Sequence, residues 1–395
     1  FRRVLFRSHR ISEGSPLHCT ELVRSLVERE VLRYVAGLWV IPERIDASAV
    51  PGALAQTLDA HVSTLPPAAL RLGRALAVYG QEAGLALCVA LVPELEEQDV
   101  FAAIDALVRQ EVLIGAGQRY RIRHDGLRDA LLRSASPDER RTLERHVGTT
   151  LAADGPPSPE QEVQVGWHLL RGGDERRGAE LLASAGRRLF EATSFEDCVA
   201  PLEAALAVLE ARGDQPAEVA EIVYMLVSAG FYCDRELNLR HRERAFAVLG
   251  EHCGAALARR LSRVLGGTLG IGLALLVTAV RRPLSRRRRL PLTRALDMFL
   301  RSVVYSAGVA GFSFDTEGLR RCTRVLDPLR PISHLFVRTA VDLVDNLLSF
   351  NLGRLRTLME SSARNIASMS RQRRWLTDEE RALTLGGSRI QRALV

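Results

Sequence analysis

From Pro51 onward, apolar residues recur at helical spacing, and a single pair of β runs interrupts them. Val112-Leu113-Ile114 and Arg119-Tyr120-Arg121-Ile122 flank Gly115-Ala116-Gly117-Gln118, which reads as a hairpin around a glycine-rich turn. Helices are expected over Pro51–Leu65, Ala68–Tyr79, Leu85–Leu91 and Asp99–Gln110 before it, and over His124–Leu132 and Pro137–Ala153 after it. Gly80 and Pro93 stop two of them. Val100, Ile104, Leu107 and Val108 share one face of Asp99–Gln110. Ser136, with Glu139 three residues on, reads as a capping box. Helices followed by one hairpin is the order of a winged helix. The expected fold is therefore mainly α: a winged-helix domain with one small β-hairpin, then an α-helical solenoid.

The solenoid follows Gly155-Pro156-Pro157-Ser158-Pro159, the clearest linker in the chain. Beyond it the pattern is one of helical hairpins. Ala179, Leu182, Ala185, Leu189 and Phe190 line one helix; Phe195, Cys198, Val199, Leu202, Leu206 and Leu209 line the next. Gly173-Asp174 and Gly213-Asp214 each stand in a turn before a helix pair, which suggests a tetratricopeptide-like repeat. Later pairs are expected over Phe314–Leu329, Leu335–Phe350 and Leu352–Ile366, with Gly353 in the last turn. Aromatics make up only 5% of residues, which suits helices packed on helices. The domain plan is residues 1–8 as a translated sequencing adaptor, 9–48 as the end of an ATPase lid, 49–155 as the winged helix and 156–395 as the repeats. FRRVLFRS is the adaptor-like string, and the chain reads as a piece of a longer protein.

No lysine occurs, so all 54 basic residues are arginine. A P-loop needs a lysine for the β- and γ-phosphates, a protein kinase needs one on its third strand, and Schiff-base chemistry needs one outright. The chain alone is expected to be no enzyme, with no catalytic residues. The net charge of +7 is local: Arg2, Arg3, Arg7 and the run Arg281, Arg282, Arg286, Arg287, Arg288 and Arg289 account for it. The rest is near neutral and carries no general nucleic-acid signature. Six scattered cysteines without a C-x-x-C pair read as reduced thiols in a cytoplasmic protein. Cys233, His241, His252 and Cys253 match no standard zinc spacing, so no metal is expected.

Leu265–Val280 is almost uncharged, and the arginine run follows it. A buried repeat helix with a solvated basic loop is the reading taken. A membrane contact through Leu265–Arg289 is the alternative.

Two segments carry a family likeness. ISEGSPLHCTELVRSLVEREVL, residues 11–32, resembles the segment after the sensor region in signal-transduction ATPases with numerous domains, the STAND class. Tyr120-Arg121-Ile122-Arg123-His124-Asp125-Gly126-Leu127-Arg128-Asp129-Ala130-Leu131 resembles the winged-helix motif of the same class, with Gly126 in place of a usual aliphatic residue. The likeness covers residues 11–212. A similar order of lid, winged helix and repeats occurs in large bacterial Ser/Thr kinases and LuxR-type regulators.

The resemblance implies nucleotide-binding roles for Gly14, Pro16 and His124. Gly14-Ser15-Pro16 would open the lid helix, with Pro16 on the adenine ring. His124 would reach the β-phosphate of ADP, and Asp125 would cap the following helix. ATP or ADP would bind only in the intact protein, with an upstream ATPase core in cis. The winged helix would be an internal switch rather than a DNA reader, although Arg119, Arg121 and Arg123 line its hairpin. The repeats would bind a protein or peptide signal. The competing readings are a repeat scaffold without nucleotide, and a membrane- or nucleic-acid-associated adaptor acting through Arg281–Arg289.

Overall fold

The computed structural model describes residues 33–35, 38–40, 52–117, 119–153, 158–213, 215–254, 292–330, 335–361 and 363. Gly14, Pro16, the adaptor-like residues 1–8 and the segment Leu265–Arg289 lie outside them. Within them the chain is mainly α, a helical solenoid with a small β element. The described residues fall into two units, divided between Gly178 and Ala179.

In the first unit, strands β1 (Arg33–Val35) and β2 (Leu38–Val40) form an antiparallel hairpin. Tyr34 in β1 pairs with Trp39 in β2. Helices α1 (Gly52–Ser63) and α2 (Pro67–Tyr79) follow. A two-residue strand β3 (Ala83–Gly84) leads into α3 (Leu85–Ala90) and α4 (Glu97–Arg109). The expected hairpin is β4 (Leu113–Ala116) and β5 (Arg119–Ile122). Strand β3 pairs with the free edge of β5, so the sheet has three strands in the order β3-β5-β4. Two residues cannot show an alternating pattern, which is why β3 was not anticipated.

Next come α5 (Asp125–Ser134), α6 (Pro137–Leu151) and α7 (Pro159–Arg171). The capping box expected at Ser136 and Glu139 is present, and Ser158 with Gln161 forms a second one ahead of α7. The core gathers around α2. Leu72, Leu107 and Leu131 are fully buried, and Gly73 leaves the room that the Leu131 side chain fills. Helices α6 and α7 meet closely. Arg145 donates to the Gly172 carbonyl at 2.8 and 3.0 Å, closing the end of α7, and Glu144 accepts from or pairs with His168 at 2.7 Å in the buried interface.

The division between the units falls inside α8 (Glu175–Glu191). The second unit continues with α9 (Phe195–Arg212), α10 (Pro216–Tyr232), α11 (Arg235–His252), α12 (Leu292–Phe312), α13 (Thr316–Leu326) and α14 (Leu335–Asn351). A further helical stretch runs over 355–361. The pair α12–α13 stacks on α10–α11, although residues 253–291 lie between them in sequence; α12 touches both α10 and α11. Gly173 and Gly213 stand at left-handed φ of 85° and 67° in the turns before α8 and α10, as the repeat pattern suggested. Among the described residues no helix is long and apolar enough to cross a membrane.

Among the described residues five helix ends close in the same way. In the turns at Glu111, Gly173, Thr193, Phe314 and Gly353, the next residue's N–H reaches back five positions to a carbonyl: Val112 to Leu107, Asp174 to Leu169, Ser194 to Leu189, Asp315 to Ala310 and Arg354 to Ser349, at 2.8–2.9 Å. This closure needs a left-handed residue, where glycine is the usual choice. Phe314 holds the position at φ 56° with its ring 73% exposed, so it carries strain without gaining burial. Phe314→Gly should therefore raise stability, by up to about 1 kcal/mol, the left-handed penalty less the entropy glycine adds to the unfolded chain. Gly230→Ala should do the opposite and cost about 1–3 kcal/mol, because an added Cβ would run into the backbone nitrogen of Asn238 on α11. Thermal melts of both variants check the two signs.

Candidate functional site

His124 lies between the last strand and the next helix. Arg123 ends the β5 ladder by donating its N–H to the Val112 carbonyl at 2.9 Å. The backbone at His124 is then extended (φ −158°, ψ 158°), and α5 begins at Asp125. The half-buried His124 ring turns back over this start, and its Nδ1 accepts the Leu127 N–H at 3.2 Å. His124 is thus the N-cap, and the capping role expected of Asp125 is not filled by that residue. Asp125 occupies the first helical position, one residue too late for an N-cap side chain. An Nδ1 that accepts places the proton of the neutral ring on Nε2. Gly126 matters here: a Cβ added to it would come 3.0 Å from Leu58 and 3.5 Å from His124 Nδ1.

The surroundings hold this junction in place. Arg128, one turn into α5, donates to the Ala77 carbonyl near the end of α2 at 2.8 Å and covers Gly80. Arg133 pairs with Asp59 at 2.8 Å, tying α5 to α1. His61 Nε2 meets the Gln110 carbonyl at 3.0 Å, tying α1 to the end of α4.

The hairpin arginines are largely partnered. Arg123 pairs with Glu111 at 2.9 Å and Arg119 with Glu82 at 4.0 Å; Arg121 is exposed. Helix α4 turns an acidic and apolar face outward, with Glu97, Asp99 and Asp105 beside Phe101 and Val108, and Arg109 as its only cation. Such a face repels a phosphate backbone. The sequence pattern put Val108 on one face with Val100, Ile104 and Leu107, but the structure buries those three and turns Val108 outward.

The second unit carries another group of side chains. Arg187 on α8 pairs with Glu218 and Glu221 on α10 at 2.5 and 3.3 Å, and Arg294 on α12 reaches Glu221 at 2.9 Å. Asp297 holds Arg301 at 2.9 Å. Beside these pairs, Phe190, Phe195, Tyr224, Phe231, Tyr232 and Tyr305 follow one another ring to ring.

Burial pushes Cys88 up to about 11 and Cys198 and Cys322 up to about 12, which keeps them as thiols. Among the described residues no group of three or more His, Cys, Asp or Glu could hold a metal ion.

The cap at His124 makes a pH prediction. Burial lowers its pKa from the ordinary 6.5, against the raising influence of Asp125. The unfolded chain therefore takes up this proton at higher pH than the folded one. The cap's contribution is complete above about 6.5 and is lost as pH falls from there through the folded value. The His124 Cε1 proton, followed by NMR, should titrate below 6.5. In His124→Asn, which caps without titrating, the loss of thermal stability between pH 7.5 and 5 should be smaller than in the wild type.

No protein-family model matches the chain, and neither does any curated protein. Among solved structures, it matches a signal transduction ATPase with numerous domains that carries a tetratricopeptide repeat sensor, from Pyrococcus horikoshii. The identity is 12% and the TM-score 0.29; the match covers 98% of this chain and 57% of that one.

Proposed function

We propose that this chain is the regulatory and sensor portion of a STAND-type signalling ATPase. In this reading residues 49–155 are a winged-helix switch and the helical repeats a protein-binding sensor. One observation carries it. The order α2, β3, α3, α4, β4, β5, with the sheet arranged β3-β5-β4, is that of a winged helix, and His124 stands at its last strand-to-helix junction. The acidic outer face of α4, the helix that a DNA-reading winged helix would lay in the major groove, favours an internal switch over DNA binding.

The described residues suit a phosphate. His124 accepts the Leu127 N–H on Nδ1 at the start of α5, a helix N-terminus where backbone N–H groups favour an anion. Pro16 would pack on the adenine ring and Gly14 would open the lid helix, as in the class the sequence resembles. Bound nucleotide would supply the free-energy difference between a closed and an open state. His124 would stabilise the closed one, and the helical unit would report a bound protein signal in the cytoplasm.

Two measurements test this. The complete open reading frame should contain a G-x-x-x-x-G-K-[ST] motif upstream of Ile11; a frame without one leaves a repeat scaffold. In the complete protein, His124→Ala should raise basal output, and unchanged or lower output removes the switch role.

A further inference from the structure

The exposed member of the aromatic row is Tyr232, the last residue of α10. Phe195, at the start of α9, stacks on one face of its ring at 4.5 Å with the planes 8° apart. Phe231 and Tyr305 meet it at 5.0 and 5.8 Å with their planes steeply inclined, at 84° and 60°. Tyr232 is nevertheless 53% exposed. With one face covered by Phe195, an exposure that large leaves much of the opposite face open to solvent.

The ring stack brings the first turn of α9 against the end of α10, and both places are acidic. Glu196 and Asp197 follow Phe195, Asp234 lies two residues after Tyr232, and all three are exposed. Glu196 of one helix and Asp234 after the next share the surroundings of Cys233, whose pKa both of them raise. Asp197 accepts from the Ser194 hydroxyl at 2.6 Å and Asp234 from the Glu236 N–H at 2.9 Å. Neither bond neutralises a charge, and among the described residues no arginine pairs with any of the three. The same helix ends also carry Glu191 and Glu236 beside Arg188 and Arg235, five carboxylates against two guanidiniums. Arg301, the cation beside Tyr224 and Tyr305, is held by Asp297 at 2.9 Å. The balance around the open ring face is therefore negative.

An open aromatic face with a rim of unpaired carboxylates selects a cation. The ring quadrupole attracts a positive charge laid over it, and a guanidinium can stack flat on the ring while its N–H fork reaches a carboxylate. Among the described residues Trp167 already has such a cation, with Arg171 5.5 Å over its ring; Tyr232 has none. We propose that the Phe195–Tyr232 stack, with Glu196, Asp197 and Asp234 around it, binds an arginine-rich segment of a partner protein. One guanidinium lies on the open face of Tyr232 and its neighbours meet the carboxylates. The net charge of the chain is +7, so the molecule as a whole repels such a segment and the attraction is local to this rim. This rests on the reading of the helical unit as a protein-binding surface and names its ligand class.

The test uses the whole chain with fluorescein-labelled hexa-arginine as probe and hexa-citrulline, its uncharged isostere, as control, read by fluorescence anisotropy. Hexa-arginine should bind saturably with Kd on the order of 100 μM or tighter, and more weakly as salt is raised. Tyr232→Leu, which keeps apolar bulk and removes the ring face, should weaken it about fivefold, and Tyr232→Phe should leave it nearly unchanged. Glu196→Gln combined with Asp197→Asn should weaken it about tenfold. Glu97→Gln combined with Asp99→Asn, an equal loss of charge on α4, should leave it unchanged. Thermal melts establish that the variants fold. Absence of saturable binding at millimolar concentration, equal binding of hexa-citrulline, an unchanged Kd in Tyr232→Leu, or equal weakening by the two acid pairs overturns the proposal. A displayed random-peptide library, selected on the wild type and counter-selected on Tyr232→Leu, separates the two levels. Peptides that need Tyr232 but lack arginine and lysine overturn the ligand class and leave a protein-binding surface. A library that yields no bound peptide overturns both.

Discussion

A helix cannot end in a protein interior without donors for its last carbonyls, and that requirement organises the second unit. The same back-bonded turn closes α8, α12 and α14 at Thr193, Phe314 and Gly353. Each closure reverses the chain tightly, so successive helices stack with their ends in step. The alignment shows in the contacts. Phe231 of α10 sits against Gly308 of α12, Leu347 of α14 against Gly311, and Asn351 reaches the Gly311 carbonyl at 3.4 Å. No single helix contains the aromatic row.

Scarcity of aromatics has a second effect. Helices built from Leu, Ala and Gly can approach until backbones touch, as at Gly230 against Asn238 and Gly178 against Leu170. Contact at that distance fixes the helix pairs by shape, because any larger residue at the glycine has nowhere to go. The few large rings are then left for places where helix faces diverge, and there they gather.

This explains what could be read from the sequence. Helix existence was legible because burial imposes a 3.6-residue period, and the Ser136 capping box was legible because both partners lie within four residues. His124 was legible as the residue at a strand-to-helix junction. The cap was carried over to Asp125 from the resemblance, yet the extended backbone stops one residue earlier, at His124. The aromatic row was not legible. Phe190 and Tyr305 are far apart in sequence, and periodicity reports which face a residue shares without saying which helix comes to lie beside it. The stacking of α12 on α10 and α11, with residues 253–291 between them in sequence, is the contact that no local pattern encodes.

An all-arginine chain also settles its charges differently from one that uses lysine. A guanidinium presents several donors in a fixed fork and can hold two carboxylates at once. Arg187 does so with Glu218 and Glu221, and Arg330 with Asp327 and Asp345. Such partly exposed pairs add little stability. Their effect on recognition is larger, because each carboxylate held by a fork is withdrawn from the surface as an acceptor. Beside the aromatic row Glu218 and Glu221 are held in this way, whereas Glu196, Asp197 and Asp234 next to Phe195 and Tyr232 stand exposed.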